Sequence, residues 1–334
     1  MGIVKQISLP SVIQTEKLHT VLWIPETKVR GVLQIAHGMV EYIERYEHFA
    51  AYLNKRGIAV IGHDHLGHGH TASSEKDFGY FSEKDGDRAV ILDMHRVTKY
   101  ARRRFPSAPI YLMGHSMGSF CTRNYMMLFG IELSGVILMG TGYHCFAEAR
   151  LGEYLSAGFV KLFGSRYKSH LIDQIILGSY NRKFAPNRTH SDWISSDEKI
   201  VDQYVTDPFC TFKFTAGAYR DFFRILVRVS SKEQIRRIPK NLPIYLVSGE
   251  QDPVGNFGKG VKKVYDQFQK LGFEDVTMRL FPDARHEILN EKQKEIVFED
   301  LARWLDNQLK AMNDNILLHK KERKWLTDDT NHYF

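Results

Sequence analysis

Ile110-Tyr111-Leu112-Met113-Gly114-His115-Ser116-Met117-Gly118-Ser119 is the stretch that decides the fold. Its first four residues follow Pro109 and read as a short strand buried on both faces. From residue 118 to 129 the pattern becomes helical. Between strand and helix stands Gly-x-Ser-x-Gly, the sequence of a tight strand-to-helix turn. Such a turn leaves no room for a side chain at Gly114 or Gly118, and it holds the serine in a strained conformation that exposes its hydroxyl at the sheet edge. Ser116 is therefore the candidate nucleophile.

A serine alcohol needs a base near neutral pH, and the base needs an orienting acid. In this architecture the acid and then the histidine follow the serine along the chain. Asp252 lies just past the apolar run 244–247, and His286 lies just past the run 276–280. Both positions, like Ser116, fall at carboxyl ends of expected strands, the edge where open α/β sheets place their sites. Glu250 and Asp283 are the rival acids. Asp252 opens a loop and precedes proline, whereas Asp283 reads as a turn-shaping residue. The oxyanion of an acyl-transfer transition state needs two donors: the amide after the nucleophile, here Met117, and one from the loop after an earlier strand. His37-Gly38-Met39 follows the run 32–36, so the Met39 amide is the second candidate, with His37 bracing the loop.

Working outward, further apolar runs at 58–61 and 136–139 are bounded by glycine. Helical patterns occupy 46–56, 87–104, 261–271 and 292–309. This alternation predicts a mostly parallel central sheet with helices on both faces, and the first thirty or so residues add an antiparallel edge pair. It stops between residues 143 and 238, where about 95 aromatic-rich residues with helical patterning exceed any single crossover. The expected organisation is a core in two parts, 1–142 and 239–310, a helical cap inserted over 143–238, and a charged tail over 311–334.

The chain has 334 residues, 43% hydrophobic and 25% charged, enough to bury a large core without staples. Three cysteines make a disulfide framework an unexpected device and favour a reducing, cytoplasmic setting. Neither a signal peptide nor an apolar membrane span is expected. The net charge of +7 comes without a nucleic-acid recognition motif, so no nucleic-acid partner is expected. Ile316-Leu317-Leu318, a basic run and Trp325-Leu326 suggest a terminal helix that is amphipathic or frayed, with weak contact to anionic membrane surfaces. The oligomeric state stays open. Four histidines crowd His63-Asp64-His65-Leu66-Gly67-His68-Gly69-His70. Their spacing matches no common zinc hydrolase motif, so a glycine-rich structural turn is expected and no metal.

These stretches together resemble the α/β-hydrolase superfamily, and within it the monoacylglycerol lipase, lysophospholipase and serine aminopeptidase S33 group. The resemblance is carried by His37-Gly38-Met39-Val40-Glu41-Tyr42 with Arg45-Tyr46, the histidine-rich turn, Gly114 to Ser119, Gly249-Glu250-Gln251-Asp252-Pro253-Val254, and Arg285-His286-Glu287 with Asn290-Glu291. It implies Ser116, His286 and Asp252 as nucleophile, base and orienting acid, the Met39 and Met117 amides as oxyanion donors, and no cofactor. Met39 departs from the group, where a smaller residue is common, which narrows the expected acyl entrance. The expected activity is hydrolysis of lipid-like carboxylic esters, monoacylglycerols or lysophospholipids. The competing readings are an aminopeptidase, which would need an acid such as Glu148, Glu153 or Asp173 to hold the substrate amine, and a non-catalytic ligand-binding member of the fold.

Overall fold

The computed structural model of the chain describes residues 2–328, without the side chains of residue 177 and of residues 315–328. Eight strands form one sheet: β1 (Ile3–Pro10), β2 (Lys17–Ile24), β3 (Gly31–Ala36), β4 (Ile58–His63), β5 (Ile110–His115), β6 (Gly135–Met139), β7 (Ile244–Gly249) and β8 (Val276–Phe281). Their order is β1-β2-β4-β3-β5-β6-β7-β8. The first two strands supply the antiparallel edge, since β1 pairs with β2 and β2 with β4 in opposite directions. Every pairing from β4 to β8 is parallel. The six apolar runs of the sequence are β3 to β8, each within two residues at either end.

The helices are α1 (Glu47–Asn54), α2 (Gly86–Arg104), α3 (Met117–Phe129), α4 (Phe146–Phe163), α5 (His170–Leu177), α6 (Glu198–Thr206), α7 (Ala216–Ser230), α8 (Lys232–Ile235), α9 (Lys259–Lys270) and α10 (Lys294–Asp328). Side chains of β5 alternate between two apolar clusters. Ile110 and Leu112 join the cluster packed by α2, α3 and α9, while Tyr111 and Met113 join the one packed by α1 and α10. Burial on both faces is why these strands read as continuous apolar runs rather than as alternating ones. Helix α10 passes residue 310 without a break and continues to Asp328. The side chains of Ile316, Leu317, Leu318, Trp325 and Leu326, on which the membrane expectation rests, lie outside the described ones.

Helices α4 to α8 all lie between β6 and β7. Tyr219, Phe222, Ile225 and Leu226 of α7 belong to the same apolar cluster as Phe120 and Tyr125 of α3, so α7 shares the core of the sheet. Helix α4 is different, with Leu151, Tyr154, Leu155, Leu162 and Phe163 at least half exposed.

The topology sets the position of the site. The chain leaves β3, forms β4 on one side, then returns to form β5 on the other. That reversal is the switch point at which open α/β sheets bind ligands, outside the carboxyl ends of the strands. Register places Ala36 of β3 opposite Gly114 of β5, so the loop after β3 lies beside the turn after β5.

Candidate active site

Ser116 is the single residue between β5 and α3, with φ 51° and ψ −119°. A non-glycine residue with positive φ is strained, and such strain persists only where the surroundings over-determine it. Here the Ser116 amide donates to Met139 O at 2.9 Å, and its carbonyl accepts the Ser119 hydroxyl at 2.6 Å. The two glycines fit the same account. A Cβ on Gly114 would collide with Gly118 O and Thr122 Oγ1, and one on Gly118 with the carbonyls of Ala36 and His37.

His286 follows β8 and is buried with its Nδ1 2.9 Å from Asp252 Oδ1. Asp252 follows β7 and is fully buried. The Ser248 hydroxyl donates to its Oδ2 and the Val254 amide to its Oδ1, each at 2.9 Å. Burial pushes the Asp252 carboxyl up, but the His286 charge and these hydrogen bonds outweigh it and hold the group below its ordinary value. The rival acids are exposed, and Asp283 has φ 59°, the turn-shaping role expected of it. Among the described residues no hydrogen bond joins Ser116 Oγ to His286, but both line one cavity of about 450 Å³. Contacts of this kind are often loose until substrate binds.

Met39 and Met117 line the same cavity, and neither amide has an acceptor among the described residues. The loop carrying Met39 is locked from several sides. The Gly38 amide donates to Glu41 Oε1, and the Tyr204 hydroxyl, from α6, donates to Val40 O at 3.0 Å. Val40 itself has φ 57°, a strained value for a β-branched residue. His37 is buried, with Nδ1 2.8 Å from Gly38 O and Nε2 accepting the His65 amide at 2.9 Å. Burial and the neighbouring His68 hold it well below an ordinary imidazole pKa, so His37 is a neutral brace.

Glu41 is the hub that sequence reasoning missed. Its carboxylate meets His115 Nδ1 at 2.7 Å, the Tyr46 hydroxyl at 3.1 Å and Arg45 at 3.3 Å. Arg45 in turn grips Glu287 through two bonds of 2.6 and 2.7 Å. Burial pushes Glu41 up, yet the His115 and Arg45 charges bring it well below the ordinary range. Burial lowers His115, and Glu41 more than reverses this, so His115 titrates above an ordinary histidine. The network ties the residue before Ser116, the loop of Met39 and the residue after His286 into one buried unit. Its members all stood in the quoted motifs, but no spacing rule says that they meet.

Two contacts position the imidazole further. The Trp193 ring, from the inserted segment, lies 5.0 Å from the His286 ring. Gly140, after β6, has φ 59°, and a Cβ there would stand 3.0 Å from His286 Cε1. The glycine that ended the run 136–139 was the available signal, though nothing in sequence ties it to His286.

In the histidine-rich turn, Asp64 accepts the amides of Ile43 at 2.8 Å and His70 at 2.7 Å. His63 and His68 are wholly buried, and desolvation pushes them down to about 3 and about 4, so they are neutral packing groups.

The sequence profile of the serine aminopeptidase S33 family matches residues 27–293. The chain belongs to this family of hydrolases. This S33-family chain is 26% identical over 292 residues to the monoacylglycerol lipase of Mycolicibacterium smegmatis, a match covering 86% of it and 92% of that relative. It is 24% identical over 297 residues to the monoglyceride lipase of Homo sapiens, with 86% of each chain covered. Among solved structures it is similar to a thermostable carboxyl esterase from Bacillus coagulans in complex with glycerol, with a TM-score of 0.86, 28% identity, and 92% and 100% of the two chains covered. The fold is thus the α/β-hydrolase fold, and the S33-family chain is a hydrolase similar to the monoacylglycerol lipases.

Proposed function

We propose that the chain hydrolyses carboxylic esters of lipid-like alcohols, monoacylglycerols or lysophospholipids, by two-step acyl transfer. Ser116 Oγ attacks the ester carbonyl while His286 Nε2 takes its proton, and Asp252 fixes the tautomer by accepting from Nδ1. The oxyanion is held by the Met39 and Met117 amides, each such donor contributing about 3 kcal/mol. His286 then protonates the leaving alcohol, and water repeats the sequence on the acyl-enzyme. No cofactor enters.

The observation that carries this reading is His286, hydrogen-bonded to the buried Asp252, lining one cavity with the strained Ser116 and two unpaired amides. The rest of the lining fits an acyl chain: Phe120, Leu151, Leu155, Ile175 and Phe222 supply apolar wall. Leu151, Leu155 and Ile175 are also at least half exposed, giving the cavity an apolar mouth suited to a substrate drawn from a lipid assembly. Free cysteines at 121, 145 and 210 suit a cytoplasmic setting. No helix among the described residues is long and apolar enough to cross a membrane.

Aminopeptidase activity is the second reading, and one observation favours it: Glu148 lines the cavity, where it could meet a substrate amine. Glu153 is instead paired with Arg150 and Arg224, and Asp173 accepts the Tyr219 hydroxyl. A panel of monoacylglycerols, p-nitrophenyl esters and aminoacyl anilides separates the two. Turnover of the esters alone is expected. Turnover of anilides but not esters, abolished in Glu148→Gln, would replace the first reading with the second.

A further inference from the structure

Outside the cavity, His19, Glu44 and Asp64 come together from three places in the fold. His19 is on β2, Glu44 in the short turn of helix Ile43–Tyr46, and Asp64 directly after β4. One potential ligand atom from each, an imidazole nitrogen and two carboxylate oxygens, lies within 4.8 Å of the other two. His19 Nε2 is 2.6 Å from Glu44 Oε1. Asp64 is fully buried, and the Ile43 and His70 amides fix the direction of its carboxylate, leaving each oxygen a free lone pair.

Two features of this group are unusual for an ordinary ion pair. Glu44 Oε2 is sealed from solvent and accepts no hydrogen bond from any described residue. Neither carboxylate has a lysine or arginine within ion-pair distance among the described residues, and His19 is the one side chain paired with Glu44 there. The exposed His70 ring, 4.9 Å from that of His19, stands at the open side.

We propose that His19, Glu44 and Asp64 bind a divalent transition-metal cation of the zinc class, at a site separate from the catalytic cavity. The mixed nitrogen and oxygen donors suit zinc, whereas magnesium and calcium favour oxygen alone. Tetrahedral coordination at about 2.1 Å asks for donors about 3.4 Å apart, within reach of small side-chain shifts from the present spacing. The ion satisfies the orphaned Glu44 oxygen and neutralises the facing carboxylates. It clips β2, the turn after the Met39 loop and the histidine-rich turn to one another. His70 or water completes the shell. The ion's role is structural, since none of its three ligands touches the cavity.

The test uses the full-length chain, stripped with EDTA and titrated calorimetrically with ZnCl₂ near neutral pH, with MgCl₂ as a parallel arm. The expected result is one equivalent of zinc bound at micromolar or tighter affinity, a raised thermal midpoint, and no magnesium binding. His19→Ala and Glu44→Gln should each weaken zinc binding by about tenfold or more while p-nitrophenyl ester turnover without zinc is unchanged. Ser116→Ala should bind zinc as wild type does, which separates the site from the cavity. Other histidines of the 15 in the chain can capture zinc, and the two variants expose that. Unchanged affinity and stoichiometry in both variants would overturn the proposal, as would a wild-type chain that binds no zinc.

Discussion

Gly140→Ala tests the placement of His286 without touching any group that exchanges protons. The structure predicts two separate penalties. Gly140 has φ 59°, where a side chain costs about 1–2 kcal/mol of stability. The new Cβ would stand 3.0 Å from His286 Cε1 and 3.2 Å from Nδ1. Ordinary carbon contacts lie near 3.5–4.0 Å, so something must move by about 0.5 Å. The Gly140 amide is pinned to Val247 O at 2.9 Å, so the imidazole is the group that yields. Since a misplacement of about 1 Å can cost about 100-fold, half of that shift is expected to lower kcat about tenfold. KM should hardly change, because the apolar walls of the cavity are untouched. Steady-state hydrolysis of a p-nitrophenyl ester, with urea unfolding of the same protein, reads both effects. A folded variant with kcat within twofold of wild type would refute the argument that Gly140 sets the imidazole position.

Three further outcomes follow from the geometry. Asp252→Asn should lower kcat by about 10³- to 10⁴-fold with little change in KM, since the amide no longer fixes the His286 tautomer; a loss under tenfold would remove Asp252 from the reacting set. Arg45→Met leaves the buried Glu287 carboxylate without its cation and Glu41 with His115 alone, and should cost about 3–5 kcal/mol in urea unfolding; a loss under about 1 kcal/mol would contradict it. His63 has a folded pKa of about 3, below the ordinary 6.5. Its contribution is therefore present above about pH 6.5 and is lost progressively as pH falls toward 3, because the unfolded chain binds the extra proton. His63→Asn should flatten the acid limb of stability by up to about 1.4 kcal/mol per pH unit in that window, read by urea unfolding at stepped pH. An unchanged slope would mean that His63 protonates without unfolding.

The reach of the sequence differs between parts of the molecule for physical reasons. Strands β3 to β8 were legible because residues buried on both sheet faces have to be apolar throughout, and because glycine or proline marks the ends of most. That Ser116, Asp252 and His286 come to one sheet edge was legible because the topology brings the carboxyl ends of parallel strands together there. The supporting groups were not. Gly140, Trp193 and Glu41 act through contacts between segments far apart in the chain, and each residue type has an ordinary structural use where it stands. Helix α4 shows the limit of pattern reading in another way. Its apolar residues would suit a face packed on the core equally well, yet Tyr154, Leu155 and Leu162 are turned outward, and hydrophobic periodicity alone does not distinguish a core face from an exposed one.

The central claim, that Ser116 is the nucleophile of an acyl-transfer site, is tested most directly by fluorophosphonate labelling followed by intact-mass and peptide analysis. Wild type is expected to take up one phosphonyl group, on the peptide that contains Ser116, and Ser116→Ala to take up none. Equal labelling of the two proteins, or a folded wild type that does not react, would contradict the account.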